Sequence, residues 1–433
     1  MAPSRLDIVI FGATGYTGKV AVQQILKLVK EKHISWGVAG RSVTKLKEVL
    51  TEVSEKSGEN LEDVSVIAAD VKDYKSLCEM AVRAKVVVNC VGPYRFYGEP
   101  VVKACIESGT HHVDVSGEPQ YMERMQLEYN KAAEEKGVYI VSACGFDSIP
   151  ADLGLVHFID QFKGEVNSVE TYFETDHTGK IDSAVLHYGT WESAVYGLLH
   201  AGELRSLREK LFPTRLPNML PKLTPRPLLH KSEVVNKWCL PFPGSDKPVM
   251  YRSQRLRHEQ DKVRPVQVQA YMGFASLLHV FIVALIGGIF SLMTKTAFTR
   301  QLLLDHPKFF SAGYASREGP SENTRTGTLF SVTFFGQGWT EAVGEGEQHP
   351  DPPNKTMVTK VSGRDPGYGF TTTALLLSAV TILKESDKMP GKGGVLPPGA
   401  AFGKTSMIKE LENHGLKFEV LKEESKTTTE KSS

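Results

Sequence analysis

The sequence predicts an α/β protein: a Rossmann-type parallel sheet domain, then an α+β second domain that carries an apolar membrane-type segment. Three observations support this fold class. Short apolar strands alternate with helical patterns in the first third of the chain, strands of mixed pattern follow, and residues 270–294 contain no Asp, Glu, Lys or Arg. We expect domains over residues 1–150 and 151–390. Residues 391–433 then return to the first domain and end in a polar tail from Glu423.

The composition restricts the class of protein. A chain of 433 residues is long enough for two or three domains. It carries 51 Lys and Arg against 50 Asp and Glu, which argues against a nucleic-acid partner bound by phosphate neutralisation. The 5 cysteines are scattered without a CxxC pair, so we expect neither a disulfide framework nor a metal site. The N-terminus has neither a secretory-signal nor a transit-peptide pattern, and we expect the folded part to face the cytosol or a compartment that is reached without a standard N-terminal signal.

The first predicted strand, residues 6–11, runs directly into a glycine-rich turn and then into a helical pattern. This order of strand, glycine turn and helix is the one that dinucleotide binding requires. Gly12 permits the tight turn, Gly15 lets the backbone approach the pyrophosphate, and Gly18 lets the helix pack against the strand. The N–H groups at the start of the helix then face the phosphates. The cofactor contacts expected in this turn are Gly12, Thr14, Gly15, Tyr16, Thr17 and Gly18.

The end of the second strand distinguishes between the two nicotinamide dinucleotides. Sites that prefer NAD(H) usually place an acidic side chain there for the ribose hydroxyls. This sequence has Arg41 instead, whose charge and fork geometry suit a 2′-phosphate, and Ser42 offers a further hydrogen bond. The prediction is therefore NADP(H), with NAD(H) as the less favoured cofactor. A solvated arginine at a strand end is the structural alternative.

The third and fourth strands end at residues that are expected to border the same cofactor. Asp70 follows the third strand, where it either lies near the adenine or caps the next helix. Gly92 and Pro93 follow the fourth strand, and the ligands of open parallel sheets lie at the carboxyl ends of the strands. We expect these two residues to form the wall beside the nicotinamide ribose.

Longer motifs carry a family resemblance. They comprise Asn89–Pro100, His112–Glu118, Gly145–Asp152, Phe334–Gly338 and Gly393–Phe402. Together with the glycine turn, these motifs resemble the saccharopine dehydrogenase-like oxidoreductases of animals, a family that is also similar to bacterial trans-acting enoyl reductases of lipid synthesis. The resemblance covers nearly the whole chain. It implies an NAD(P)-binding fold, an oxidoreductase activity and an association with lipid droplets and membranes, but it does not establish saccharopine as the substrate.

The catalytic groups are less well defined. None of the 14 tyrosines has a lysine four positions later, so the mechanism of short-chain dehydrogenases is not expected. Tyr94 is the first candidate for a proton donor or substrate orienter because it follows the fourth strand, and an aromatic packing role is the alternative. Asp114 and Glu118 form a candidate acid–base pair, unless Asp114 only binds loop backbone. Cys144 is expected to be an inert core thiol.

The second domain is expected to contain one antiparallel sheet with helices on one face. Asp147 and Ser148 are expected to cap the helix at the domain junction. Strands are predicted at residues 169–175, 250–256, 266–272, 327–335 and 356–361. A helix is predicted over residues 371–383, and the motif at 393–402 is expected to return the chain to the first domain.

The uncharged segment 270–294 is long enough to cross a bilayer as a helix, which needs about 20 apolar residues. Three interpretations are open: a transmembrane helix, a helix or hairpin embedded in one lipid leaflet, and a buried core or oligomer helix. The second is favoured because the strand patterns on both sides belong to one domain, which a spanning helix would divide. A segment embedded in a monolayer also suits a lipid droplet, which has no aqueous lumen.

The leading functional hypothesis is a membrane- or lipid-droplet-associated, NADP(H)-dependent oxidoreductase that acts on a lipid or other apolar substrate. A saccharopine-type amino-acid reductase is one alternative, and a non-catalytic, cofactor-binding scaffold on lipid droplets is another. The expected partners are a membrane or lipid-droplet monolayer bound through residues 270–294, a small-molecule or lipid substrate, and a second copy of the chain in a homodimer. The expected locations are lipid droplets and the cytosolic face of a membrane, with mitochondria as a further one.

Overall fold

The computed structural model describes residues 5–344 and 346–425. The strands are β1 (Leu6–Phe11), β2 (Trp36–Gly40), β3 (Ser65–Ala68), β4 (Ala84–Asn89), β5 (His111–Asp114), β6 (Tyr139–Val141), β7 (Glu165–His177), β8 (Leu186–His187), β9 (His230–Ser232), β10 (Lys237–Pro241), β11 (Gln267–Phe274), β12 (Ala315–Ser316), β13 (Thr328–Trp339), β14 (Lys355–Arg364), β15 (Gly394–Leu396) and β16 (Lys417–Ser425). The α-helices are α1 (Tyr16–Lys32), α2 (Val43–Ser57), α3 (Tyr74–Val82), α4 (Tyr94–Glu107), α5 (Pro119–Lys136), α6 (Ile149–Phe162), α7 (Tyr188–Leu199), α8 (Glu203–Leu211), α9 (Asp246–Asp261), α10 (Leu277–Met293), α11 (Ala297–Asp305), α12 (Pro307–Phe310), α13 (Glu322–Gly327), α14 (Thr371–Glu385), α15 (Pro398–Phe402) and α16 (Met407–Asn413).

The first sheet is parallel and has the strand order β15-β6-β5-β4-β1-β2-β3. Its central strands are buried apolar runs, as expected where helices cover both faces of a parallel sheet. The strand at one edge, β15, comes from the far end of the chain and pairs with β6. Because all strands run in the same direction, the residues that follow β1 to β4 gather at one edge. This sheet confirms the predicted Rossmann-type fold.

The second sheet is mixed and has the strand order β16-β14-β13-β7-β11-β10-β9. Its long central strand β7 pairs antiparallel with β13 and parallel with β11, so the prediction of a purely antiparallel sheet is wrong for one pair. α6 packs on this sheet through Gly154, where an added Cβ would lie 2.3 Å from the Phe334 ring. Glu423–Ser425 of the predicted polar tail belong to β16, and the remainder, residues 426–433, lies outside the described residues.

The strand predicted at residues 250–256 is wrong, because these residues lie in α9. Asp246, Val249, Met250 and Ser253 are all buried, and their spacings of three and four positions place them on one face of a helix. Seven residues of mixed polarity are too few to separate the period of a helix from that of a strand.

Two apolar helices have opposite surroundings. Within the described residues, Pro366–Lys388 is the one helical run that is long and apolar enough to cross a membrane, and it is mostly buried because it contains the core helix α14. The predicted apolar segment 270–294 divides instead: its first residues complete β11, and α10 follows with 17 residues. Leu278 and Leu285 on α10 are each 66% exposed. The interpretations of this segment as a buried core helix and as a hairpin are therefore wrong.

The helices α7, α8 and α10–α12, with the short paired strands β8 and β12 and the loop 317–321 after β12, form a unit that we call the lid. Its centre is a small apolar cluster of Val195, Leu303 and Leu304. This cluster is separate from the two large clusters that pack around the sheets. The lid is therefore held together by its own side chains.

Candidate functional site

The turn after β1 has the geometry of a phosphate cradle. Gly12 has a φ of +85°, a conformation that residues with a Cβ rarely adopt. A Cβ on Gly18 would lie 2.1 Å from the Gly12 carbonyl oxygen, so α1 approaches the turn this closely only with glycine there. Gly15 is exposed, and a Cβ on it would contact only that same carbonyl oxygen, at 3.3 Å. The outer side of Gly15 is therefore open to a pyrophosphate.

The start of α1 directs free donors toward this turn. The cap residue Gly15 supplies no side-chain oxygen, so the N–H groups of Tyr16, Thr17 and Gly18 have no partner within the helix. Together with the positive end of the helix dipole, these groups form a site for a phosphate. Thr14 and Thr17 are half-buried beside the turn. The cradle thus fits the pyrophosphate of a dinucleotide.

Arg41 and Ser42 lie at the next strand end, directly after β2. Arg41 is exposed, and no carboxylate among the described residues pairs with its guanidinium. The Ser42 hydroxyl oxygen caps α2 by accepting a hydrogen bond from the Lys45 N–H at 3.3 Å, which leaves its own hydrogen free to donate. An exposed cation without a partner, beside a free hydroxyl donor, fits a ribose 2′-phosphate.

Asp70 and the residues after β4 complete this edge of the sheet. The Asp70 carboxylate accepts a hydrogen bond from the backbone two residues later, at 3.0 Å, whereas Asp73 is the residue that caps α3. The interpretation of Asp70 as the cap is therefore wrong, and its contact with the adenine stays a prediction. Gly92 is exposed and Pro93 is buried directly before α4, an arrangement that suits a wall beside the nicotinamide ribose.

Tyr94, the first catalytic candidate, lies inside the first domain and is 6% exposed. Its hydroxyl donates to the Asn89 carbonyl oxygen at 2.9 Å and accepts from the Val115 N–H at 3.4 Å. Burial raises the pKa of Tyr94 well above its usual value. Because backbone groups occupy both sides of the hydroxyl, the geometry supports the packing role and gives no support to proton donation.

Asp114, the second catalytic candidate, is fully buried at the end of β5. Its carboxylate accepts hydrogen bonds from two backbone N–H groups and two hydroxyls, namely those of Ser116, Ala143, Ser142 and Tyr121. Burial raises the pKa of Asp114 to about 6, and these four bonds oppose that rise. The geometry supports the structural alternative, in which Asp114 binds loop backbone.

Glu118 connects the cofactor edge of the sheet to the lid. Its carboxylate accepts the N–H groups of Tyr94 at 2.9 Å and Arg95 at 3.1 Å, and so caps α4 immediately after Gly92 and Pro93. The hydroxyl of Ser193, on α7 of the lid, donates to the same carboxylate at 3.1 Å. Burial raises the pKa of Glu118. Like the Asp114 carboxylate, the Glu118 carboxylate has a structural role in this geometry.

The sequence predicts that Asp147 and Ser148 cap α6, and this prediction is wrong. Ser148 precedes the helix without a side-chain bond to it, and its hydroxyl donates to the Asp147 carbonyl oxygen at 2.6 Å. The Asp147 carboxylate accepts from the Ser245 hydroxyl at 3.3 Å, beside the start of α9, and burial raises the pKa of Asp147 to about 6. Cys144 is buried, and burial raises the pKa of its thiol, as expected of an inert core cysteine.

Tyr16 makes contacts that the sequence did not reveal. Its hydroxyl donates to the Pro320 carbonyl oxygen at 2.5 Å, and its ring stacks on His187 with centroids 5.2 Å apart. The ring of Tyr368 meets it edge-on at 4.5 Å. Since Tyr16 and Pro320 are 304 positions apart, no local pattern signals this contact. The lid therefore contacts the residue that directly follows the glycine turn, while Gly15 itself stays exposed.

Comparison with known proteins identifies the family. Residues 8–141 match the saccharopine dehydrogenase NADP-binding domain. A saccharopine dehydrogenase-like oxidoreductase of Homo sapiens is 40% identical over 96% of this chain and 97% of its own length. A Caenorhabditis elegans protein named "Lipid droplet localized protein" is 38% identical over 96% of this chain and 98% of its own. A Mycobacterium tuberculosis protein named as a trans-acting enoyl reductase is 27% identical over 96% of this chain and 98% of its own.

A solved structure shares the fold. Apo saccharopine dehydrogenase (L-Glu forming) from Saccharomyces cerevisiae has a TM-score of 0.51 and 15% identity, covering 96% of this chain and 99% of that one. The NADP-binding domain matched by residues 8–141 agrees with the glycine cradle and with the free guanidinium of Arg41. The chain belongs to the saccharopine dehydrogenase-like oxidoreductases, and its first domain binds NADP(H).

Proposed function

We propose that this oxidoreductase works at a lipid surface, on lipid droplets or the cytosolic face of a membrane, and acts on a lipid or other apolar substrate. The observation that carries the proposal is the exposure of α10. Residues 281–289 are all exposed, and nine residues make about two and a half helical turns. Apolar side chains therefore face solvent around the whole circumference of the helix. Exposed apolar patches of this kind mark interaction sites.

The way in which α10 is attached favours lipid as the partner. Val280 is buried near the start of the helix, and Phe290 and Met293 pack against the lid near its end. Both ends are thus held by one domain, and the helix is about 26 Å long at 1.5 Å per residue. A docked protein covers one face of a helix, whereas a lipid layer covers all faces. This geometry supports a helix lying in one leaflet.

The names of two relatives support the proposal. The C. elegans relative is named for lipid droplets, and the mycobacterial relative is named for the reduction of an enoyl group, which is part of an acyl chain. When bound, NADPH supplies a hydride. The chain's own contribution is to hold the pyrophosphate at Gly15, to fix the start of α4 through Glu118 and to hold Tyr16, beside the glycine turn, against the lid.

Flotation of the full-length protein with phospholipid-coated triacylglycerol droplets tests the lipid contact. We expect the wild type to float and the double variant Leu285→Asp, Ile289→Asp to stay in solution. Leu228→Asp is the matched control, because Leu228 is also exposed, at 74%, but lies in a loop outside α10. All three proteins should still bind NADPH, which shows that each variant is folded. Flotation of the double variant at the wild-type level would contradict the proposal, and a wild-type dimer that the double variant loses would assign α10 to a second copy instead.

NADPH oxidation tests the substrate class. We expect oxidation when the droplets carry α,β-unsaturated or carbonyl-containing lipids. Oxidation only with a soluble oxo acid and an amino acid would favour a saccharopine-type reductase. Tight NADPH binding without oxidation in either assay would favour a non-catalytic scaffold, an outcome that the structural roles of Tyr94 and Asp114 make worth measuring.

A further inference from the structure

We infer that lipid contact and NADP(H) binding strengthen each other, and that the lid transmits this coupling. The inference rests on the proposed function, because it takes lipid as the partner of α10. It adds a regulatory link between two sites that are otherwise independent.

One side of the lid is fastened to α10. The indole N–H of Trp191, on α7, donates to the Leu303 carbonyl oxygen on α11 at 2.8 Å. The Trp191 ring packs on Phe290 of α10 with centroids 4.7 Å apart. Val195, one turn further along α7, is fully buried in the same cluster. A change in the position of α10 therefore displaces α7 as well, because their side chains pack together.

The other side of the lid touches both walls of the cofactor site. Pro320 and His187 hold Tyr16, which begins α1 directly after the glycine turn. Ser193 donates to Glu118, whose carboxylate fixes the backbone just after Gly92 and Pro93. α7 thus lies between the lipid-facing helix and the groups that shape the pyrophosphate and nicotinamide positions.

The remaining contacts between lid and first domain comprise an aromatic pair, in which the ring of Phe96 meets that of Tyr196 edge-on at 4.9 Å, and several polar contacts. The Gln120 side-chain amide donates to the Gly197 carbonyl oxygen at 3.2 Å. Two ion pairs, Arg95 with Glu203 at 2.9 Å and Arg208 with Glu123 at 2.7 Å, join the outer edge. In each pair one partner is buried (Arg95, Glu123) and the other is 54% or 40% exposed (Glu203, Arg208), so water that reaches a pair when it opens offsets part of its free energy. We call the arrangement in which the lid makes these contacts the seated lid. A partner that binds this arrangement more tightly than others increases its population.

The direction of the coupling follows from what covers α10. In water, the exposed apolar surface of α10 is unfavourable. An arrangement that buries α10 but breaks the polar contacts of the lid therefore competes with the seated lid. On a lipid surface the lipid covers α10, so the competing arrangement loses its advantage. The seated lid then holds Tyr16 and Glu118 in place, and NADP(H) binds more tightly. Thermodynamic linkage requires that NADP(H) strengthens lipid binding by the same factor.

The test measures both halves of the linkage on the full-length protein. NADPH fluorescence gives the Kd with and without saturating phosphatidylcholine vesicles, and vesicle partitioning is measured with and without saturating NADPH. We expect both affinities to rise by the same factor, roughly fivefold or more. Ser193→Ala should still bind vesicles but reduce this factor to less than about twofold. Ser206→Ala is the matched control and should keep the full factor, because its hydroxyl donates to the Glu203 carbonyl oxygen within the lid.

Each outcome is distinguishable. A merely structural role of Ser193 would lower NADPH affinity equally with and without vesicles and leave the factor unchanged, which would overturn its part in the coupling. Wild-type protein that binds vesicles with an unchanged NADPH Kd would overturn the coupling and leave the proposed function standing. Wild-type protein that binds neither these vesicles nor the triacylglycerol droplets would overturn both, and for protein that binds droplets alone the same two affinities are measured on droplets.

Discussion

Arg41 stands exposed at the end of β2, at the place where a ribose 2′-phosphate is expected. We expect Arg41→Ala to weaken NADPH binding by roughly 10- to 100-fold, since a hydrogen bond to a charged group contributes about 1.5–3 kcal/mol. NADH binding should change less than about twofold, because NADH lacks that phosphate. Titration of both cofactors by fluorescence checks this. Lys47→Ala, another exposed cation on α2, is the control, and an equal loss for NADPH and NADH would contradict the assignment.

Asp114 predicts a pH dependence of stability. Its pKa rises from 3.8 to about 6 on folding, so the folded state favours the protonated carboxyl. The stabilisation is complete below pH 3.8 and is lost as the pH rises through 6, by about 3 kcal/mol at 1.36 kcal/mol per unit. We expect the free energy of unfolding of the wild type to fall by this amount relative to Asp114→Asn, which does not titrate there. Urea titrations at several pH values between 4 and 7 measure the difference, and a constant difference would contradict the raised pKa.

The residues of the glycine turn could be predicted from the sequence, and those of the catalytic centre could not. Gly12, Gly15 and Gly18 act on their immediate neighbours, so their spacing alone indicates the turn. The sequence leaves two roles open for Tyr94, proton donation and packing, because its position after a strand says nothing about where the hydroxyl points. Its partner groups, at Asn89 and Val115, occupy both sides of that hydroxyl and are visible only in the folded chain.

At the scale of elements, α10 and α14 show why an apolar pattern alone does not reveal the surroundings of a helix. Both read as apolar, yet Leu376 on α14 is fully buried and Leu285 on α10 is 66% exposed. We expect Leu376→Ala to lower the free energy of unfolding by about 2–5 kcal/mol, because it leaves a cavity. Leu285→Ala should change it by less than about 0.5 kcal/mol in water. Urea unfolding of lipid-free protein compares the two, and a similar cost for both would place α10 in a core.

The strand predicted at residues 250–256 shows a second limit at this scale. The buried face of α9 includes polar residues, among them Asp246 and Ser253. The positions of the apolar residues alone therefore do not define this face. The Ser253 hydroxyl donates to Asp152 of α6 at 2.6 Å, and this bond satisfies the hydroxyl inside the protein. A helix whose inner face is partly polar has a weak apolar period, and the sequence then favours the wrong element.

At the scale of the whole molecule, the two sheets share one core. Ile8 and Ile10 of β1 belong to the same apolar cluster as Leu375 of α14 and Phe334 of β13. We therefore expect residues 1–150 expressed alone to be insoluble or unfolded, although they contain the predicted cofactor contacts. Circular dichroism, solubility and NADPH binding check this against the full chain. A soluble fragment with cooperative unfolding and NADPH affinity near that of the full chain would contradict the shared core.

The order of elements along the chain is what the sequence predicts well at this scale, and the contacts between distant segments are what it does not. The sequence predicts that residues 393–402 return to the first domain, but it does not predict that β15 pairs there with β6. The contact of Tyr16 with Pro320 joins residues 304 positions apart. Such pairings depend on the shape of the assembled core. A local pattern carries no signal for them, which is why the lid was not anticipated.

The exposed helix α10 has a consequence for how much of this protein a lipid store can hold. If α10 lies flat in a monolayer, as proposed above, it occupies area, so the bound amount saturates with the surface of the droplets and not with the volume of their oil. Small droplets offer more surface for the same oil and therefore hold more enzyme. When droplets fuse, surface is lost while the oil remains, and the displaced molecules return to water. The amount of droplet-bound oxidoreductase would then fall as droplets grow, without any change in the total amount of protein.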